Sequence, residues 1–382
     1  MVSEKTPPGG SKSPLPHRFR AIDVLRGLTV ALMIVVNMQI GPGKSYPPLL
    51  HAAWNGLTPT DLVFPTFLFV VGAALSFTLG KYAALGNATV IRKIATRTAL
   101  IFLCGYLLYW FPFFAVDAAG HVSFKPISQT RILGVLQRIA IGYGIGSLIV
   151  YYGGRTGAIT FAIIALLSYW ALMHGFGDYT MTGNAGIVFD KWVLGEAHMY
   201  HGEGIAFDPE GLLSTLPAIV NVLAGYLAAR FIREQGTSRS TFVRLLVVGA
   251  ICLAVASLWN TVFPINKKIW TSSFVLCTIG IDLVVLAILI CVVPETRETR
   301  WTYFFEVFGR NALAIYLLAE LGQIVLRMIP VGSTTSYEWL WAVGFAPWTG
   351  DKLGSLLCAV AYMLACWLVA FWMDRRRIYI KL

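Results

Sequence analysis

The chain has 382 residues, 57% of them hydrophobic and only 13% charged, with a formal net charge of +11 at pH 7. A soluble domain carries about twice that charged fraction, roughly 25%, so the composition excludes a soluble enzyme, a disordered chain and a nucleic-acid-binding module. What remains is an all-α polytopic membrane protein whose positive charge reports orientation in a lipid bilayer.

In chain order, residues 1–17 are polar and rich in Pro, Gly and Ser, and are expected to form a flexible cytoplasmic tail with no cleavable signal. Residues 18–382 form a single membrane domain. Apolar blocks of about twenty residues, the length that crosses a bilayer core, predict about ten transmembrane helices at 22–40, 61–80, 98–115, 131–150, 157–175, 212–230, 245–263, 271–293, 304–328 and 353–373. Nineteen of the 30 Lys and Arg residues fall in the segments on one side of these spans and eight on the other. The positive-inside bias then puts both termini in the cytoplasm and the long segments 41–60 and 176–211 outside. No five-plus-five repeat is visible, which disfavours an inverted-repeat transporter. All 6 cysteines lie inside apolar blocks and have neither a disulfide framework nor a CxxC metal spacing.

An ionisable residue in hydrocarbon is costly and is a functional-site hypothesis by default. The first span opens with Arg20, Asp23 and Arg26 on nearly one helical face. The fourth carries Gln137-Arg138 and the ninth Gly309-Arg310-Asn311. Read as a set near the cytoplasmic leaflet, Arg20, Arg26, Arg138 and Arg310 suit a phosphate-bearing cofactor. They suit structural salt bridges or lipid headgroups equally well.

Asn37 ends the first span, and His51, Trp54 and Asn55 follow in the outward loop. An imidazole at such a boundary can deprotonate an amine or attack an acyl carbon. In Thr58-Pro59-Thr60-Asp61, Thr58 caps the second span, Pro59 fits its first turn, and Asp61 takes the dipole-favourable capping position. His198 and His201, flanked by Glu196 and Glu203, have no evident third partner. Gly195, Gly202 and Gly204 make that stretch a loop, so no metal site is assigned.

Asp23-Val24-Leu25-Arg26-Gly27, Val36-Asn37, and the block from His51-Ala52-Ala53-Trp54-Asn55-Gly56-Leu57-Thr58 to Asp61-Leu62-Val63-Phe64-Pro65 resemble the heparan-α-glucosaminide N-acetyltransferase family, part of a transmembrane acyltransferase superfamily. The similarity continues through Leu136-Gln137-Arg138-Ile139-Ala140, Asp190, Gly195, His198 and Tyr200. It then extends to Asp208-Pro209-Glu210-Gly211, Pro264-Ile265-Asn266-Lys267, Trp270 and Gly309-Arg310-Asn311, and so covers nearly the whole chain. The HxxWNGLTxxDLVFP block is the specific part of the match.

The resemblance implies acetyl transfer from cytoplasmic acetyl-CoA to the amine of a glucosamine across the membrane. His51 matches the family's catalytic histidine and Asn37 its active-site asparagine, which would orient the imidazole or donate to an oxyanion. Trp54, Asn55, His198, Asp208, Glu210, Asn266 and Lys267 are then expected to face the substrate, and Arg20, Arg26, Arg138 and Arg310 to hold the cofactor. The short N-terminus resembles a compact bacterial inner-membrane form, related to a protein associated with N-acetylglucosamine uptake. An amino sugar or cell-wall fragment is therefore expected as acceptor in place of heparan sulfate. A homodimer is a further option, and uptake of N-acetylglucosamine or a related sugar is the alternative function.

Overall fold

The computed structural model describes residues 19–82, 86–116, 121–295 and 297–380. The expected tail with Lys5 and Lys12, the residues Arg18 and Lys381, and the side chain of Lys81 lie outside the described residues.

Long runs of Leu, Ile, Val and Ala, with few interruptions by polar groups, form helices because a helix satisfies its own backbone in an apolar surrounding. In chain order these are α1 (Arg20–Asn37), α2 (Pro59–Tyr82), α3 (Asn87–Trp110), α4 (Val135–Gly175), α5 (Ala185–Leu194), α6 (Leu212–Gln235) and α7 (Arg239–Trp259). They continue with α8 (Ser272–Val292), α9 (Arg300–Arg310), α10 (Ala312–Met328), α11 (Ser336–Gly344), α12 (Ala346–Thr349) and α13 (Asp351–Arg375). Two small antiparallel hairpins, β1 (Phe114–Val116) with β2 (Val122–Phe124) and β3 (Pro330–Val331) with β4 (Thr334–Thr335), close loops at one end.

Six of these helices are long and apolar enough to cross a bilayer: α2 from Pro59 to Leu79, α4, α6, α7, α8 and α13. The pair α9–α10 makes a seventh if it is taken as one bent span. The molecule is therefore a multi-pass helical protein, and the expectation of ten spans is not matched one for one. Each difference has a local cause. The expected spans 131–150 and 157–175 are counted once, as the 41-residue α4, but Gly154, with φ of 55° and ψ of −143°, lies between them and breaks α4 into two helices. Arg138 and Tyr169, on either side of the break, both reach the loop before α8. The expected span 304–328 is divided at Asn311 by a 78° bend between α9 and α10. Helix α1 carries Arg20, Asp23 and Arg26 within its 18 residues, and α3 begins with Arg92, Lys93 and Arg97.

The most enclosed spanning helix is α6, and α7 is the most peripheral. α6 packs on α2 and α4, α1 on α9 and α2, α3 on α4, and α7 on α8. At the α2–α6 crossing a Cβ on Gly72 would overlap the Val222 carbonyl, and a Cβ on Gly225 would overlap the Phe69 carbonyl. Small residues on both partners allow the two backbones to touch, the usual basis of helix association without a hydrophobic drive. Gly225→Val should therefore separate α2 from α6 and destabilise the protein by about 1–3 kcal/mol. A melting temperature in detergent equal to wild type would show that the crossing has slack.

Candidate active site

The loop between α1 and α2 brings His51 onto Asp61, in the first turn of α2. His51 Nδ1 lies 2.7 Å from Asp61 Oδ1, and Asp61 Oδ2 accepts from Ala52 N at 3.1 Å, Thr58 N at 3.0 Å and Thr58 Oγ1 at 3.0 Å. Asp61 is thus the capping residue the sequence suggests and also the partner of the imidazole, a role the sequence reading did not give it. An ionised carboxylate only accepts, so the His51 proton sits on Nδ1 and Nε2 is left as the ring's acceptor. The Asp61 side chain is 1% exposed and that of His51 50% exposed. The ring is held from behind and open in front.

A second loop, between α7 and α8, completes this face. Gly56 N donates to Ile265 O at 2.8 Å, and Asn266 Nδ2 donates to Asn55 Oδ1 at 3.1 Å. These bonds place Lys267 Nζ 3.0 Å from His51 Nδ1, 3.4 Å from Nε2 and 3.5 Å from Asp61 Oδ1. Burial pushes the Lys267 ammonium pKa down, against the pull of Asp61 and Glu210. Trp270, in the same loop, adopts a left-handed backbone at φ 50° and donates its Nε1 to Asn221 Oδ1 at 3.2 Å. Trp54 donates its Nε1 to Tyr179 O at 2.9 Å and packs on Phe207.

Asp208 and Glu210 share Arg131. The guanidinium pairs with Asp208 through Nε at 3.0 Å and Nη2 at 2.6 Å, and with Glu210 through Nη2, between the rings of Tyr109 and Tyr200. Burial raises the Asp208 carboxyl. Burial also opposes ionisation of Glu210, but Arg131, Arg138 and Lys267 outweigh it and hold Glu210 low. Arg131 is a residue the sequence reading left out of the site.

Arg138 requires a correction. It is not at the arginine end with Arg20, Arg26 and Arg310, because α4 starts at the His51 end and Arg138 lies one turn into it. There it stacks on Trp270 at 4.7 Å and donates to Gly211 O and Ser214 Oγ. His198 is not brought to His51 either. Its Nδ1 meets Thr130 O at 2.8 Å, and its ring lines an apolar groove of about 1070 Å³ between α3 and α4. Asn37 makes its side-chain bond to Glu320 of α10, at 2.8 Å, and not to His51.

At the opposite end a cavity of about 730 Å³ is rimmed by Arg26, Arg97, Arg310, Phe19, Tyr379 and Ile380. It reaches inward to Thr29, Phe67 and Leu136. Phe67 is six residues past Asp61 on α2, roughly 9 Å along the helix axis. Arg20 and Arg310 are largely occupied by protein. Arg20 Nε donates to Glu306 at 2.9 Å, and Arg310 pairs with Asp374 at 2.8 Å and Glu306 at 3.1 Å. Arg26 pairs with Asp23 at 2.6 Å. Arg97, which the sequence reading treated only as a loop charge, stacks on Tyr143 at 4.7 Å and has a buried Nε with no hydrogen-bond partner.

The helices and the site together define a multi-pass membrane protein whose polar groups gather at two ends of the bundle. The sequence profile of the family described as heparan-alpha-glucosaminide N-acetyltransferase, catalytic, matches residues 18–258, well over half of the chain, and the chain belongs to that family. Two curated relatives, each described as heparan-alpha-glucosaminide N-acetyltransferase, are similar along most of it. The Homo sapiens protein is 26% identical over 369 residues, which covers 81% of this chain and 54% of that protein. The Mus musculus protein is 28% identical over 365 residues, covering 80% and 54%. The chain spans about half the length of these relatives. The profile match includes Asn37, His51, Asp61 and Arg97 and ends before Lys267, Arg310 and Glu320.

Asp190 of α5 ties the segment before α6 to this site by capping α6, accepting from Leu212 N at 2.9 Å and Leu213 N at 3.3 Å. Burial raises its carboxyl to about 6. A raised acid holds its proton more tightly when folded, so its stabilising contribution is complete below the ordinary value of 3.8 and is lost as pH rises through about 6. Asp190→Asn removes that titration and keeps an acceptor for the α6 backbone. Its melting temperature should fall less steeply than that of wild type as pH rises across this window. Parallel curves would show that Asp190 does not titrate there.

Proposed function

We propose that the chain is a membrane-spanning N-acetyltransferase that moves an acetyl group from acetyl-CoA to the amine of an amino sugar of the glucosamine type. Acetyl-CoA approaches from the arginine-rimmed, cytoplasmic end, and the acceptor binds at the His51 end, on the periplasmic side of a bacterial inner membrane. The observation that carries this reading is the His51–Asp61 pair, an open imidazole oriented by a buried carboxylate in a chain of this family.

In this mechanism the acceptor's ammonium gives a proton to His51 Nε2, and the freed amine attacks the thioester carbonyl carbon. A C–N bond forms, the C–S bond breaks, and the departing thiolate takes the second amine proton. Asp61 holds the imidazole in the required tautomer and stabilises it once protonated. Lys267, beside the imidazole, places positive charge where the carbonyl oxygen becomes an oxyanion. Asn55, Asn266 and Trp54 shape the acceptor side. Asp208 and Glu210 act from behind, through Arg131. No feature of the site favours the alternative of sugar uptake.

Two measurements test the proposal. His51→Ala opens no cavity in the helix core, because its side chain is half exposed. In proteoliposomes, with acetyl-CoA on one face and glucosamine on the other, it should lose about 10²–10⁴-fold in transfer rate while still binding acetyl-CoA. Near-normal turnover would overturn the mechanism.

The donor end is tested through Arg97, which among the described residues stacks on Tyr143 and makes no hydrogen bond or ion pair, unlike Arg26 and Arg310 on the same rim. Arg97→Ala should weaken acetyl-CoA binding about tenfold or more, the equivalent of one lost charge-assisted hydrogen bond of roughly 1.5–3 kcal/mol. Unchanged affinity in the folded variant would remove this cavity from the donor site.

A further inference from the structure

Glu320 is the only acidic residue of α10, in the sequence ALAIYLLAELGQIVLRM. A carboxylate on so apolar a helix is costly and calls for a partner. That partner is Asn37, whose Nδ2 donates to Glu320 Oε1 at 2.8 Å. One turn on, Gln323 Nε2 donates to the Asn37 carbonyl at 2.7 Å. Asn37 is the last residue of α1, where a carbonyl has no partner further along its own helix. α10 thus grips this residue twice, by side chain and by backbone.

The direction of the first bond fixes the asparagine. A carboxylate accepts and does not donate, so the amide nitrogen must face Glu320 and Oδ1 must face away from it. Among the described residues Oδ1 has no hydrogen-bond partner of its own. A free amide would turn over readily, exchanging its donor and acceptor ends with comparable ease.

We propose that Glu320 is a positioning residue for acetyl transfer. It locks the Asn37 amide so that Oδ1 is presented to the N–H of the incoming amine. This inference rests on the acetyltransferase reading and deepens it, because it makes Asn37 an acceptor that aligns a nitrogen nucleophile. An acceptor in that place discriminates for an amine, which still carries an N–H when its lone pair attacks.

A double-mutant cycle tests it, with kcat, KM for acetyl-CoA and melting temperature measured for Asn37→Ala, Glu320→Ala and the pair, alongside His51→Ala. Loss of a supporting partner typically costs 10–100-fold in activity, so Glu320→Ala should lower kcat by about that factor. KM for acetyl-CoA should be unchanged, because the arginine-rimmed cavity does not include α10 beyond Leu313. In the Asn37→Ala background, removing Glu320 should cost less than about twofold, since a residue acting through Asn37 has nothing left to position. Glu320→Gln keeps an acceptor but also supplies a donor, so it should recover part of the loss. It is also the variant to use in the cycle if Glu320→Ala does not fold.

Losses that multiply in the double mutant, or a normal kcat in Glu320→Ala, would overturn the role of Glu320 while leaving the His51 mechanism standing. Transfer that survives His51→Ala would overturn both.

Discussion

A buried carboxylate has to be satisfied or it destabilises the fold around it, and Asp61 meets this demand with four donors from a ten-residue stretch. Its partners are the His51 ring, the Ala52 amide, and the Thr58 amide and hydroxyl. One interaction therefore starts α2, closes the loop that precedes it and points the imidazole outward. The second loop builds on the first: Asn266 and Ile265 dock on Asn55 and Gly56, which brings Lys267 to the same carboxylate. Without the Asp61 node, the residues of this face would have no common reference.

The opposite end follows a different rule. There the arginines are mostly neutralised by acids from other helices: Arg20 and Arg310 converge on Glu306, and Arg310 also meets Asp374. Asn311, at the bend between α9 and α10, accepts from Ile380 N and donates to Ile378 O. The segment after α13 is thereby pinned along the cavity rim. These pairs build the rim and hold the bend. Arg97 differs in that, among the described residues, it stacks on Tyr143 and makes no hydrogen bond or ion pair, whereas Arg26 and Arg310, whose Nε atoms are also unmet, are paired with acids.

The sequence made the helical membrane character legible because hydrocarbon tolerates few polar groups, and the His51 block because its spacing is specific. Geometry that depends on the third dimension was less accessible. Asp61 could be read as a helix cap but not as the histidine's partner, since only the folded loop brings position 51 back over position 61. Arg138 was grouped with the other arginines by residue type, although the direction of α4 sets it at the far end. The bend at Asn311 leaves no mark in hydropathy. Glu320 had a signal, a lone acid in an apolar helix, but nothing in the sequence joined it to Asn37.

Between the two ends lies a layer of aromatic rings. Phe64 is one turn below Asp61 and meets Trp270 edge-on at 5.1 Å, and Trp270 meets Phe274 in the same way. Phe67, one turn further, already lines the arginine-rimmed cavity. The layer fills the interior beneath Asp61 with apolar surface, up to the cavity that Leu136 and Ile139 of α4 also line. It also sets a condition on any group carried from one end to the other. Along α2 the cavity lining at Phe67 and the Asp61 carboxylate are about two helical turns apart, and on the reading proposed above that is the gap the acyl group and the imidazole have to close. Trp270 joins this layer to the His51 face, because its indole is held by Asn221 and covered by Arg138, while its backbone carries the loop that presents Lys267.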